Sequence, residues 1–461
     1  MKTAVTRPVL ALAILLSLVM NSAAQQSAPR PLTLEEAIRL ALKNNLGVRI
    51  ARTQVDEDEG TRERQLATLL PRVTGDSLAK LENNNLAVLG VSVPGIPTVV
   101  GPFSYYDFRV AASQAVIDRQ AYHNWKASQS QTQSAKLSYQ DTRDLVVRET
   151  AGLYLDSEAA LAQVEAAESR VITSRALEQL AHDQHDQGLA TAVDVVRSQV
   201  QLARDQQARL VAQDNYQTSL LVLERFLGLE PGAPLQLAEQ LEFKRIEVPD
   251  LDEAIHAALE SRADYRALAL QQESLIEQQK ASHARYFPTF SLNGDYGALG
   301  RNFGSMPGIG EIQGTVSITL FNRDRNGEQK ELESRVRRLN DQMSDLARGI
   351  EQDIRKALLD IDSTTQQVAV TEAALGLAQK ELALSEDRFR SGVTDNIEVI
   401  TAQDALRTAQ DDRITALARH ADAKAALARA LGGTEQHYRK YFGASEKPAP
   451  EQLPANQVNM R

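Results

Sequence analysis

Cysteine is absent from all 461 residues. Disulfides are therefore excluded, as are cysteine metal sites and a lipid anchor on an N-terminal cysteine. Aromatic residues are scarce, at 5%. Beyond the first residues no apolar run approaches the roughly 20 that a spanning helix needs, so no α-helical membrane span is expected. A Gly-rich phosphate loop, a zinc-protease motif and a nucleophile elbow are also missing. Nothing in the sequence supports an enzyme or calls for a cofactor. Basic charge is in deficit, with 51 Lys and Arg against 61 Asp and Glu, and the net charge of −10 argues against nucleic acid as a partner.

What is present begins with an export signal. Lys2 and Arg7 form a basic start, VLALAILLSLVM is an apolar run of 12, and Ser22, Ala23 and Ala24 supply small residues for cleavage. Residues 1–24 are expected to be a secretory signal peptide, so the mature chain is expected in the periplasm or beyond it. The long segments that follow are rich in Ala, Gln, Leu, Arg and Glu, the composition of long helices and coiled coils.

The chain repeats itself. LTLEEAIRLAL from Leu32 matches DLDEAIHAAL from Asp250, and Pro71 matches Pro288, at an offset of 217. Further on the offset is 204: GLATAVDVV from Gly188 matches GVTDNIEVI from Gly392, and Leu227 and Gly228 match Leu431 and Gly432. The first copy carries 13 extra residues between Pro71 and Ser113, read as a tolerant surface loop. The expected organisation is a first repeat over 25–228, a linker over 229–250, a second repeat over 251–432 and a loose tail over 433–461. Each repeat should hold a helix of about 38 residues stopped by a proline. In the first copy it spans 33–70; in the second it spans 251–287, with a break near 261–264. Hairpins follow at 72–117 and 289–321, long helices at 119–187 and 323–390, and return helices at 191–228 and 395–432.

The second-copy hairpin alternates strictly, and the first copy is noisier but similar. In TFSLNGDY the residues Phe290, Leu292, Gly294 and Tyr296 are apolar or small, while Thr289, Ser291, Asn293 and Asp295 are polar. EIQGTVSITL from Glu311 repeats the pattern, and Tyr106, Phe108, Val110 and Ala112 carry it in the first copy. Segment lengths come close to the 9–11 residues of a membrane strand, and Tyr and Phe gather at the strand ends as in an interfacial girdle. A half-buried hairpin on a soluble helical protein is the competing reading. Four strands leave two open edges, which lipid forbids, so a barrel would need several chains. Two chains would close eight strands around packed side chains, and three would close twelve around a polar lumen. The 69-residue run over 119–187 would be roughly 100 Å long as a helix, too long for one globular domain. Its heptad-like Val146, Leu153, Ala160 and Ala167 suit a coiled-coil-like wall.

With the duplicated openings, the Pro71 and Pro288 junctions and the two Gly corners in place, the chain resembles the TolC family of outer-membrane efflux channels from Leu32 to Gly433. The resemblance implies a mainly α fold with a small β part. It implies a homotrimer: a 12-stranded transmembrane β-barrel with a periplasmic α-helical barrel, in the outer membrane of a Gram-negative bacterium. It implies a passive duct in a tripartite efflux or type I secretion system. The partners would be a periplasmic adaptor and an inner-membrane pump of the RND, ABC or MFS class. With no cysteine the chain looks non-lipidated. Loops 83–103 and 297–310 would face outside the cell. The alternative from another class is a soluble periplasmic coiled-coil scaffold or adaptor, which would carry one helical hairpin rather than two.

The corners are the candidate sites. Gly188 and Gly392 supply the left-handed residue that ends a helix, Thr191 and Asp395 the next cap, and Asp194 and Glu398 the acid of a capping box. The resemblance adds roles at the periplasmic tip. Glu398 matches an acidic constriction ring, while the family's next acidic position holds Thr401, so a second ring is in question. Asp194 matches the acid of an inter-helix link whose basic partner is replaced by Thr394. Arg197 and Arg390 are the candidates to replace it, with Asp395 beside them. Gly188 and Gly392 are candidate grooves for the adaptor. HDQHD at 182–186 reads as a solvated helix end rather than a metal site.

Overall fold

The structure, a computed structural model, describes residues 30–90, 94–232 and 235–442. The signal peptide expected over 1–24 and the tail from 443 onward lie outside the described residues. The described chain runs β1 (Arg30–Leu32), α1 (Leu34–Asn44), α2 (Leu46–Ala67), β2 (Arg72–Asn85), β3 (Val99–Ile117), α3 (Arg119–Asp186), α4 (Ala192–Leu227), β4 (Leu235–Leu237), α5 (Leu251–Ser261), α6 (Ala263–Ala284), β5 (Thr289–Gly300), β6 (Gly308–Ser317), α7 (Asp324–Arg390), α8 (Asn396–Leu431) and α9 (Thr434–Phe442). The fold is mainly α. Two compact units divide it: one takes Arg49–Thr142 and Leu251–Asp353, the other takes the rest.

The first unit holds a four-stranded antiparallel sheet in the order β2-β3-β5-β6. Register follows from period-two alternation, because a one-residue slip would turn every apolar side chain to the wrong face. Val110 sits opposite Gly75 and Tyr296, Ala112 opposite Val73 and Gly294, and Ile312 opposite Gly294. This face is apolar, yet it is uncovered in the single chain: Ile312 is 84% exposed, and Val73, Val110, Tyr296 and Val316 are exposed as well. Helix α3 meets α6 in this unit through small residues. The Ser134 hydroxyl donates to the Ala267 carbonyl at 2.8 Å and the Ser274 hydroxyl to the Ala127 carbonyl at 2.9 Å. Short side chains let the backbones approach closely enough for these bonds.

Several expected boundaries move. The 13-residue insertion is not only a loop: β2 and β3 are 14 and 19 residues long, against 12 and 10 for β5 and β6, so part of it lengthens the ladder. The second hairpin stops at Ser317 rather than 321, because the Thr319 carbonyl accepts from Arg325 Nη2 at 2.8 Å. Arg325 is itself buried, with its guanidinium 4.2 Å from the Tyr286 ring centre. The helix expected unbroken over 33–70 is interrupted at Asn45. There Asn45 Nδ2 donates to the Phe226 carbonyl at 3.2 Å and Oδ1 accepts from the Gly47 amide at 2.8 Å. The second-copy break falls at Arg262, which bridges Asp264 at 2.6 Å.

In the other unit β1 and β4 pair in parallel, and the Tyr154 hydroxyl donates to the Leu32 carbonyl at 2.9 Å. The segment after Gly433, expected to be loose, instead begins with helix α9 against α8. Buried Tyr438 and Tyr441 and a 2.8 Å bridge between Arg143 and Glu435 hold it. Glu158 and Lys424 are among the ionisable side chains buried in this unit. Burial and the nearby Glu239 carboxylate push Glu158 up to about 7, and burial beside Lys244 draws Lys424 down to about 8. The Glu158 carboxyl binds its proton more tightly folded than unfolded, so its stabilising contribution is complete below pH 4.5 and is lost as pH rises through 7. Thermal unfolding in detergent should register up to about 3 kcal/mol of lost stability across that window, and Glu158→Gln should flatten the slope.

Candidate functional site

The two helix corners lie in one unit and are built alike. At the end of α3 the Gly188 amide donates to the His185 carbonyl at 2.9 Å and the Leu189 amide to the Gln184 carbonyl at 2.8 Å. At the end of α7 the Gly392 amide donates to Phe389 at 2.9 Å and the Val393 amide to Arg388 at 3.0 Å. Both are Schellman caps, with Gly188 at φ +77° and Gly392 at φ +69°, where a side chain would be strained. Nothing lies within 4 Å of a Cβ placed on either glycine, so the surface beside each is open.

The starts of the next helices differ. Thr191 and Asp194 complete a capping box. The Asp194 amide donates to Thr191 Oγ1 at 3.3 Å, and Asp194 Oδ2 accepts from the Thr191 amide at 3.0 Å and its hydroxyl at 2.7 Å. Asp395 caps α8 by position only, with no side-chain bond to the helix. The second capping box expected there is not formed, because Glu398 turns to Arg388 across the corner at 3.3 Å. Thr401 is exposed and its hydroxyl bonds back to the Ile397 carbonyl at 2.8 Å.

Asp194 is buried, and its contact to Arg197, at 3.5 Å, runs along its own helix. Arg390 pairs with Asp387 at 3.6 Å rather than with Asp194. The two corners are instead joined by amide side chains. Asn396 Nδ2 donates to the Asp194 carbonyl at 2.6 Å, and Gln184 Nε2 donates to the Phe389 carbonyl at 3.0 Å. Asn396 is 0% exposed. Behind these bonds Leu177, Ala181, Leu382, Phe389, Val399 and Ala402 form one apolar cluster. The internal repeat concealed both residues: the 204-residue offset pairs Gln184 with Arg388 and Asn396 with Ala192. A comparison of copies searches for likeness, and these bonds use positions where the copies differ. His182 and His185 engage separate partners, Asp186 at 3.4 Å and the Ala190 carbonyl at 3.0 Å.

The polar face of the sheet carries a charge cluster that sequence reasoning missed. Arg109 reaches Asp107 at 2.8 Å and, across the strands, Asp295 at 3.0 Å. Asp76 lies opposite Arg109 and Glu311 opposite Asp295, so all share one face. Charges two residues apart, as in Asp107 and Arg109, are the signal that could have found it.

The family model described as "Outer membrane efflux protein" matches residues 37–229 and 254–433. The chain belongs to the outer membrane efflux protein family. Members are transport channels, not enzymes. Over 422 residues the chain is 24% identical to the probable efflux pump outer membrane protein TtgC and to the antibiotic efflux pump outer membrane protein ArpC, both of Pseudomonas putida. Those matches cover 87% of this chain and 83% of each relative. Among solved structures it is similar to the outer-membrane channel OprN, with TM-score 0.75, 17% identity and 87% and 90% of the two chains covered. It is also similar to CusC, with TM-score 0.76, 16% identity and 89% and 96% covered. The outer membrane protein VceC of Vibrio cholerae gives 0.74, 17%, 87% and 96%. As an outer membrane efflux protein the chain is a channel component, and the soluble scaffold reading falls.

The unequal caps give unequal sensitivities. Thr191→Ala should weaken the first turn of α4 by about 1 kcal/mol, seen as faster amide exchange there. Asp395→Ala should leave exchange in the first turn of α8 unchanged, since its side chain caps nothing.

Proposed function

We propose that three copies of the chain form a passive duct across the outer membrane of a Gram-negative bacterium, non-lipidated and without a cofactor. The observation that carries this is the sheet, apolar and exposed on one face and polar on the other, with β2 and β6 at its edges. In lipid an open edge leaves backbone groups without partners. Three sheets closed edge to edge make a 12-stranded barrel wide enough for an aqueous lumen, whereas eight strands would be filled by side chains. The long helices α3 and α7, with their return helices α4 and α8, then form the periplasmic wall. The duct receives its cargo from an inner-membrane pump of the RND, ABC or MFS class through a periplasmic adaptor. Energy comes from the pump. The names of TtgC and ArpC, an efflux pump protein and an antibiotic efflux pump protein, favour efflux of small molecules over protein secretion.

In this reading the corners form the periplasmic tip. Three copies of Glu398 make an acidic constriction, with Thr401 one turn deeper as a neutral position. Asp194, Arg197, Arg390 and Asp395 serve the links between neighbouring helices that hold the tip closed. The Asn396 and Gln184 bonds hold the two corners of one chain together, so each chain moves its corners as a pair. Gly188 and Gly392 offer the open surfaces on which adaptor tips seat. On the sheet the polar strand face sets Asp76, Asp107, Asp295 and Glu311 against Arg109, an excess of negative charge that favours cations.

The native mass of the protein extracted in mild detergent should be that of a trimer. A monomer stable without detergent would sink the barrel. In planar bilayers the trimer should conduct with a preference for potassium over chloride, and Glu398→Ala should reduce that preference. Asn396→Ala removes a buried donor, at a cost of about 1–3 kcal/mol. It should raise open probability and sensitise cells to large antibiotics, and unchanged leakage would remove the pairing of corners from the gating account.

A further inference from the structure

Helix α8 carries a side-chain amide every seven residues, at Asn396, Gln403 and Gln410. Asn396 ties the corners. Gln403, 9% exposed, and the half-buried Gln410 follow at heptad spacing, where a packed helix normally presents an apolar side chain. Gln403 Nε2, Gln403 Oε1 and Gln410 Oε1 are buried without a hydrogen-bond partner among the described residues. Arg170 Nε, on α3, is a fourth such atom. The three side chains line one cavity of about 40 Å³ between α3, α4, α7 and α8. The α4 wall of that cavity is already satisfied: Asp205 Oδ2 accepts from the Ser174 hydroxyl and, at 3.3 Å, from Gln201 Nε2. Leu382 and Leu406 also line it, and they join it to the apolar cluster behind the corners.

The unpartnered atoms are two donors, Arg170 Nε and Gln403 Nε2, and two acceptors, Gln403 Oε1 and Gln410 Oε1. Turning the Gln403 amide over exchanges its two atoms and leaves that count unchanged. A buried polar atom without a partner carries its full desolvation cost, so the cavity calls for an occupant that both donates and accepts. A cation would face Arg170 and Arg407, and an anion would face Asp205 and Asp404. The charges present are already engaged: Arg170 meets Asp411 at 3.2 Å, Arg407 meets Asp404 at 3.4 Å, and Asp205 is bonded by Ser174 and Gln201. The volume is far below the roughly 300 Å³ at which sites for organic ligands begin. It matches about three water molecules at roughly 10–15 Å³ each. We propose that this cavity is a binding site for a cluster of about three water molecules, which bridges α3 to α8 through Arg170 Nε, the Gln403 amide and Gln410 Oε1. At this level the two helices are joined by water as well as by the Arg170–Asp411 bridge, directly beside a cluster that stays dry. The site lies within one chain and does not depend on the channel reading.

A high-resolution crystal structure of the full-length protein, from crystals grown in rubidium chloride, tests the proposal. Water density is expected within about 3.2 Å of each of the four atoms. A cavity free of density would overturn the proposal. So would an anomalous rubidium peak inside it, which would assign the site to a cation. Thermal unfolding in detergent gives a second reading that needs no crystal. Where water serves the Gln403 amide, Gln403→Leu expels it and strands Arg170 Nε and Gln410 Oε1, so the unfolding temperature should fall by at least about 2 °C. Where the amide is dry, the same substitution removes two unsatisfied buried atoms and leaves the temperature unchanged or raises it. Either of those results would overturn the proposal as well.

Discussion

The constraint on which the rest of this protein depends is the pairing of backbone groups in the four-stranded sheet. Within the chain, β3 and β5 are satisfied on both sides, while β2 and β6 each present one open edge. The apolar face that runs through Val73, Val110, Tyr296 and Ile312 has no cover from the described helices. A sheet with a greasy face and bare edges is stable in water only as an aggregate, and in lipid only when closed. The unit around it makes sense as support for that sheet. Prolines at 71 and 288 end α2 and α6 before each hairpin, and Arg325 and Tyr286 lock the exit from β6.

The helical part solves a different problem. The long helices bury a thin line of Leu, Ile and Val, pack between them through alanine and serine, and fasten their ends with polar side chains. Ser134 and Ser274 bond across to neighbouring backbones, and Gln184 and Asn396 tie the corners. Polar contacts of this kind are directional and can be exchanged for others at small net cost, unlike a core that must be torn open. Such fastenings yield more readily than the sheet, which is held by a continuous ladder.

Much of this was legible in the residues. Two hairpins, two very long helices and two Gly corners stood at the right places, because period-two alternation, helix-forming composition and a glycine at a left-handed cap are local signals. What was misplaced depended on side-chain contacts that neither period nor composition encodes, some of them far along the chain. Asn45 breaks a helix because Phe226 offers its carbonyl. The strand after Ser317 ends because Arg325 takes Thr319. Residues after Gly433 form a helix because α8 and Arg143 receive it. At the corners, Asp395 and Glu398 have the same spacing as Thr191 and Asp194, and each pair offers a capping residue followed by an acid. Only one of the two pairs becomes a capping box, since Arg388 draws Glu398 away.

The sequence by itself determined the architecture class, the doubling of the plan, the polarity of each strand face and the conformation of both glycines. Each of these follows from a residue's own stereochemistry or from a period of two. The tertiary structure alone decided which side chains join the corners and where helices break. At Asn45 and at the corners those outcomes depend on partners 181 to 205 positions away, and no local period encodes which distant carbonyl or charge a side chain will meet.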